Sequence, residues 1–156
     1  LLFNDTHIQL AREIALQSPC TRRKYGVVIT DGIETVVTNN QRVSRCCNKG
    51  CVRDALGIYH AERSDVGAEV HAEQAALIRW NKPVHMHTEI LIQAFYRDQT
   101  IPGEGVFLYP CHACAMMLKF AGFKYIWLTE RNLLVAVSIE DILEYWEVGW
   151  LNENDR

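Results

Sequence analysis

The chain has 156 residues, Lys+Arg 16 against Asp+Glu 19, a formal net charge of −3 and a hydrophobic fraction of 49%. That length suits one domain over residues 1–156 with a sizeable core, and the charge balance gives no global attraction to phosphate backbones, so a nucleic-acid partner is disfavoured. No apolar run approaches the roughly 18 residues of a membrane span, and no secretory leader is visible, so no membrane partner is expected.

Residues 5–17 place Ile8, Ala11, Ala15 and Leu16 on one stripe at helical spacing, with Asp5 or Thr6 as the expected cap and Pro19 beyond the end. Residues 25–30 are a β-branched run, Asp31-Gly32 is a turn signal, and residues 34–38 form a second run; together they predict an antiparallel hairpin. Residues 39–68 are polar and irregular, with three cysteines. A loop that long needs a pin or a function, and the cysteines offer the pin. A helix is expected over residues 69–80, a strand over 88–94, and a loop over 95–107 that contains Pro102, Gly103 and Gly105. Residues 106–108 are expected as a short return strand. Residues 111–121 predict a helix closed by Gly122. Strands are expected over 125–129 and 133–137, and Ser138 is expected to cap a final helix to about residue 147, with Glu140 and Asp141 in its first turn. Strands alternating with helices predict an α/β fold, a sheet flanked by helices.

The six cysteines are Cys20, Cys46, Cys47, Cys51, Cys111 and Cys114. A disulfide framework is one reading; metal ligation suits the pattern better, and free thiolates suit a reducing cytoplasm, the expected location. Two short pieces carry the chemistry: His71-Ala72-Glu73 and Pro110-Cys111-His112-Ala113-Cys114. Cys111 and Cys114, spaced i, i+3 on the first turn of a helix, present both sulfurs to one side. One imidazole and two thiolates hold a zinc ion and leave its fourth position open for water, as catalytic zinc sites do. Glu73, two residues past His71, is close to such an ion without ligating it and is placed to carry protons. His112 is read as facing away or toward substrate, not as a ligand. Alone, the C-x-x-C would be a redox pair or a structural clip, and the lone His a core residue. The order H-x-E…P-C-x-x-C is an established signature of zinc nucleobase deaminases.

On these residues the chain resembles the zinc-dependent cytidine/deoxycytidylate deaminase family. Four further segments carry the resemblance: Cys20-Thr21-Arg22-Arg23-Lys24-Tyr25-Gly26-Val27-Val28-Ile29, Gly50-Cys51-Val52-Arg53, His71-Ala72-Glu73-Gln74-Ala75-Ala76 and Ala121-Gly122-Phe123-Lys124-Tyr125-Ile126. These favour deoxycytidylate deaminases over nucleoside or tRNA deaminases. The resemblance implies a three-layer α/β/α fold on a mixed sheet of about five strands, hydrolytic deamination of dCMP to dUMP for thymidylate synthesis, and a homo-oligomer. It implies His71, Cys111 and Cys114 as zinc ligands, Glu73 as the catalytic proton carrier, and Arg22, Asn40, Ala72, Tyr109 and Pro110 as the substrate-binding set. Asn39 is a rival to Asn40. For the phosphate, Arg22 comes first, then Arg23, Lys24, Arg45 and Arg53; Tyr25, Phe95, Tyr96 and Tyr109 are candidates to stack on the base. A second, structural zinc of the kind some phage-type members carry would use Cys20, Cys46, His60 and Glu69, with Cys47 or Cys51 as alternatives to Cys46.

Three features depart from the family pattern. The turn after the second strand reads Thr38-Asn39-Asn40-Gln41, Tyr109 directly precedes Pro110, and extra residues fall in 95–107, between the third strand and the zinc cysteines. A loop there borders the site and bears on substrate choice. Other substrates of the same chemistry are dCTP, a nucleoside, a modified nucleotide or single-stranded nucleic acid. A different class is a non-catalytic zinc-folded binding module, against which Glu73 argues, because structural zinc needs no proton carrier.

Overall fold

The computed structural model describes residues 2–20, 22–42, 56–57, 69–97 and 100–154, without the side chains of Arg42, Glu69 and residues 150–154. Strand β1 (Arg23–Thr30) and strand β2 (Thr35–Asn39) form the expected antiparallel hairpin, with Val28 opposite Val37. The turn is built by Asp31, whose Oδ1 accepts from the backbone N–H groups of Ile33 at 2.9 Å and Glu34 at 2.8 Å. Gly32 takes the left-handed conformation there, with φ +89°.

Two short strands, β3 (Gln41–Arg42) and β4 (Glu69–Val70), pair antiparallel and bring together the two ends of the segment between them. Strand β5 (Glu89–Tyr96) runs antiparallel to β1, β6 (Tyr125–Glu130) runs parallel to β5, and β7 (Leu133–Ser138) returns antiparallel to β6. The result is a mixed five-stranded sheet in the order β2-β1-β5-β6-β7.

Side chains alternate across each strand, so each strand serves two cores. Val28 of β1 and Leu91 of β5 face helix α1 (Asp5–Leu16) and pack with Phe3 and Ala11. Gly26 permits this contact: a Cβ there would fall 1.9 Å from the Ala11 carbonyl oxygen. Val27, Ile29, Ile90, Ile92 and Ala94 face the other way. They meet helices α2 (Ala72–Trp80), α3 (His112–Ala121) and α4 (Ile139–Asn154) in the larger core. The three-layer α/β/α arrangement follows from these two faces.

Four local expectations are corrected. Asn4, not Asp5 or Thr6, caps α1; its Oδ1 accepts from the His7 N–H at 3.3 Å. Residues 69–70 are a strand and the helix starts at Ala72, because His71 is extended, with φ −63° and ψ 149°. Residues 105–108 form a 3₁₀ turn, not a return strand. The last helix runs on to Asn154; Ser138 starts it as expected, its Oγ accepting from the Asp141 N–H at 3.1 Å.

Candidate active site

The two chemistry-bearing motifs both fall at helix starts. His71 is the N-cap of α2 and Cys111 the N-cap of α3. Their carbonyls accept the first helical bonds, from Ala75 at 3.0 Å and Ala115 at 2.9 Å. The start of α2 is tied to the sheet by Thr38 Oγ1, which donates to the Ala72 carbonyl at 2.8 Å. Two bonds from α4 hold the start of α3. Trp146 Nε1 donates to the Pro110 carbonyl at 2.9 Å, and His112 Nε2 lies 3.3 Å from Glu147 Oε1. His112 therefore faces α4 rather than the ligand group, in line with its reading as a non-ligand.

These two helix starts converge. His71 Nδ1 lies 3.3 Å from Cys114 Sγ and 3.6 Å from Cys111 Sγ, and the three donor atoms lie within 4.8 Å of one another. Zinc bonds of roughly 2.0–2.1 Å to nitrogen and 2.3 Å to sulfur at a tetrahedral angle place N and S about 3.5 Å apart. The observed spacings fit that requirement, and two soft sulfurs with one imidazole are a zinc-type donor set. Among the described residues the group contains these three donors.

Glu73 is 3% exposed, on the first turn of α2. Burial holds its carboxyl above the usual carboxylate range; His71 opposes that rise and Cys111 adds to it. Its carboxyl interacts with Cys114 as well, so it sits beside the thiol pair. The two thiols are hydrogen-bonded to each other. The Cys114 S–H bond pulls Cys111 below the usual thiol range, and the same bond drives Cys114 above it. The positive ends of two helices favour the thiolate so formed.

The remaining expected contacts divide by position. Tyr25 lies on the same sheet face as Val27 and Ile29; burial pushes its hydroxyl above the usual phenol range, with Arg23 opposing the rise and Glu73 adding to it. Tyr109 is half-buried and meets Tyr145 of α4 edge to face, ring centroids 5.4 Å apart. Ala72 and Pro110 are buried directly beside His71 and Cys111. Phe95 alternates with Ala94 and Tyr96, so it points to the α1 side of the sheet, away from the ligand group. Arg22 is buried at 4% exposure just ahead of β1. Asn40 spends its carboxamide on β1, accepting from the Tyr25 N–H and donating to the Arg23 carbonyl, while Asn39 Nδ2 donates to the Ile14 carbonyl. Of the second-zinc set, Cys20 is buried and Glu69 lies in β4; Cys46, His60, Cys47 and Cys51, like Arg45 and Arg53, lie outside the described residues.

The segment after β5 packs against Tyr96 and Arg23. Phe107 of the 3₁₀ turn meets Tyr96 edge to face at 6.0 Å, and the two line a cavity of about 230 Å³ with Ile101, Pro102 and Gly103. Gly103 is required there, because a Cβ would fall 2.2 Å from Phe107 Cδ1. The Arg23 guanidinium lies 5.0 Å from the Phe107 ring centre and 5.8 Å from that of Tyr96. The tether from Trp146 and the link through Arg23 were not anticipated from the sequence.

A mixed five-stranded sheet with two helix starts presenting His, Glu, Cys and Cys is the cytidine-deaminase-like α/β fold. The chain is similar to the solved dCMP deaminase of the cyanophage S-TIM5, both in apo form (TM-score 0.50) and in complex with dCMP and dUMP (TM-score 0.51). Each comparison covers 90% of this chain and 89% of that chain at 19% sequence identity. No family model and no curated protein matches the chain. Among the described residues no helix is long and apolar enough to cross a membrane.

Proposed function

We propose that this protein is a zinc-dependent hydrolase that converts dCMP and water to dUMP and ammonia, supplying dUMP for thymidylate synthesis. The observation that carries the reading is Glu73: a buried carboxyl beside a His/Cys/Cys group, where a purely structural metal would have no use for it. His71, Cys111 and Cys114 would hold the zinc. When bound, zinc supplies the Lewis acid that makes water a nucleophile near neutral pH.

The chain's own residues do the rest. Glu73 takes a proton from the attacking water and delivers it to N3 of the pyrimidine, then takes the proton of the new C4 hydroxyl and delivers it to the amine, which leaves as ammonia as the C4–N bond breaks and the C4 carbonyl forms. Its burial raises the affinity of the carboxyl for that proton, which suits a group that must hold and release it. Thr38 and Trp146 keep the two helix starts in register, so the carboxyl and the ligand group stay in one geometry.

The choice of dCMP is supported by the fold shared with a deaminase solved with dCMP and dUMP. Ammonia release from dCMP, dCTP, deoxycytidine and cytosine, with zinc-loaded protein and with or without dCTP and dTTP, tests it. Preference for dCMP supports the reading. Turnover of another of these compounds moves the substrate, and no ammonia from any of them favours a zinc-folded binding module.

A second zinc, held by Cys20, Cys46, His60 and Glu69, belongs to the same reading. The pairing of β3 with β4, which sets Arg42 opposite Glu69, supports it.

A further inference from the structure

The inserted segment, Arg23 and Tyr25 form one column on the sheet face that carries the ligand group. Tyr25 stands opposite Ala94 of β5, and Arg23 opposite Tyr96. The small Ala94 leaves the phenol room over the sheet. Strand β1 is held rigidly at this point. The Tyr25 N–H donates to Asn40 Oδ1 at 3.0 Å, and Asn40 Nδ2 donates to the Arg23 carbonyl at 2.9 Å. Arg23 is seated over the Phe107 and Tyr96 rings, and its Nη1 donates to Tyr25 Oη at 3.2 Å.

A phenol accepts through its lone pairs and donates one proton. With a guanidinium N–H received on the oxygen, the O–H remains to donate. Tyr25 packs on the same core face as Val27 and Ala72, and Thr38, the β2 partner of Val27, bonds the Ala72 carbonyl between His71 and Glu73, so the phenol lies at the end of the sheet where the proposed chemistry occurs.

We infer that Tyr25 is a substrate-recognition residue: its hydroxyl, oriented by Arg23, donates a hydrogen bond to an acceptor oxygen of the pyrimidine nucleotide bound beside Glu73. The inference rests on the deaminase reading above. It also gives the 95–107 insertion a role. Phe107 and Tyr96 fix the guanidinium, the guanidinium fixes the phenol, and the phenol reads the substrate.

The test uses the zinc-loaded full chain, with Tyr25→Phe, Arg23→Met and the double variant. Steady-state kinetics on dCMP are combined with calorimetric binding of dUMP. A neutral hydrogen bond of the usual net worth corresponds to a roughly three- to tenfold change. Tyr25→Phe is expected to raise KM for dCMP and weaken dUMP binding by that factor, with kcat and zinc content kept. Arg23→Met is expected to do the same, and the double variant to be no worse than either single one, because both act through one hydroxyl.

Unchanged KM and dUMP affinity in Tyr25→Phe would overturn the inference. So would a loss confined to kcat, which places the hydroxyl in proton transfer instead, and so would additive losses in the double variant. Failure of the deaminase reading looks different: the wild-type chain would itself neither release ammonia nor bind dUMP.

Discussion

Trp146 donates its indole N–H to the carbonyl oxygen of Pro110 across 2.9 Å, joining the last helix to the residue just ahead of Cys111. Pro110 is buried, so its carbonyl has no ready access to water as a replacement donor. Trp146→Phe keeps an aromatic ring and removes the donor. Stranding a buried acceptor costs about 1–3 kcal/mol. The thermal midpoint of the variant is expected to fall, and zinc affinity with it, because the Cys111 end of α3 loses its tether. Calorimetric unfolding and competitive zinc titration check both. Unchanged zinc affinity would confine α4 to a packing role.

Glu73→Gln preserves shape and hydrogen bonding and removes the proton carrier. Zinc content is expected to stay at the wild-type value, since the ligand group consists of His71, Cys111 and Cys114. Ammonia release from dCMP is expected to drop by about 10²–10⁴-fold, the usual worth of a positioned acid–base group. Metal analysis and an ammonia assay on the same sample decide it. Full turnover in this variant would remove Glu73 from the chemistry.

The gathering of His71, Cys111 and Cys114 was legible because a metal site demands particular donor atoms, and the sequence places them at two recognisable helix starts. Pro110 ahead of Cys111, and the i, i+3 spacing of Cys111 and Cys114, are local signals, and the helix they announce is present. The strand order was not legible, since β-branched runs announce strands but not their partners. Residues 69–70 adjoin the helical pattern of residues 72–80, so the sequence extends the helix over them; pairing of Glu69 with Arg42 makes them a strand. Likewise, whether Phe95 faces the site depends on a strand phase that the composition of the run leaves open. The Trp146 and Arg23 contacts join elements far apart in the chain, and no local pattern marks such pairs.

Cys114 is 1% exposed and lies closest to His71, at 3.3 Å. Cys114→Ala removes one of three protein ligands at little cost in volume. The variant is expected to lose the stabilisation that zinc gives. For the wild type, zinc at about a hundred times its Kd adds about 2.7 kcal/mol. Thermal melts with and without added zinc, and with a chelator, separate the cases. The wild-type midpoint should rise with zinc and fall with chelator, and the variant should respond far less. Equal response in both would place the metal elsewhere.

Asp31 contributes to stability against acid. The backbone N–H groups of Glu34 and Ile33, and then Lys82 at 3.5 Å, hold its carboxyl down to about 2 from an ordinary 3.8. A carboxyl depressed in the folded state stabilises that state at every pH above its unfolded value. The contribution is lost as pH falls from near 4 through about 2. Asp31→Ala is therefore expected to be less stable than wild type at pH 6, with the gap closing below pH 4. Urea midpoints of the two proteins at pH 6, 4 and 3 measure the gap. A gap that stays constant with pH would assign the effect of Asp31 to turn geometry alone.

The number of zinc ions per chain tests how the segment between β3 and β4 is held. In-register pairing of Arg42 with Glu69 sets the ends of that segment side by side. A closed four-ligand site of Cys20, Cys46, His60 and Glu69 would bind it from within, and loop closure of this kind is where metal binding becomes folding energy. Elemental analysis is expected to return two zinc ions per chain in the wild type and one in Cys20→Ser. Glu73→Gln should keep both. Turnover should survive in Cys20→Ser at moderate temperature, because His71, Cys111 and Cys114 are untouched, while resistance to heating declines. One zinc ion in the wild type would dismiss the second site.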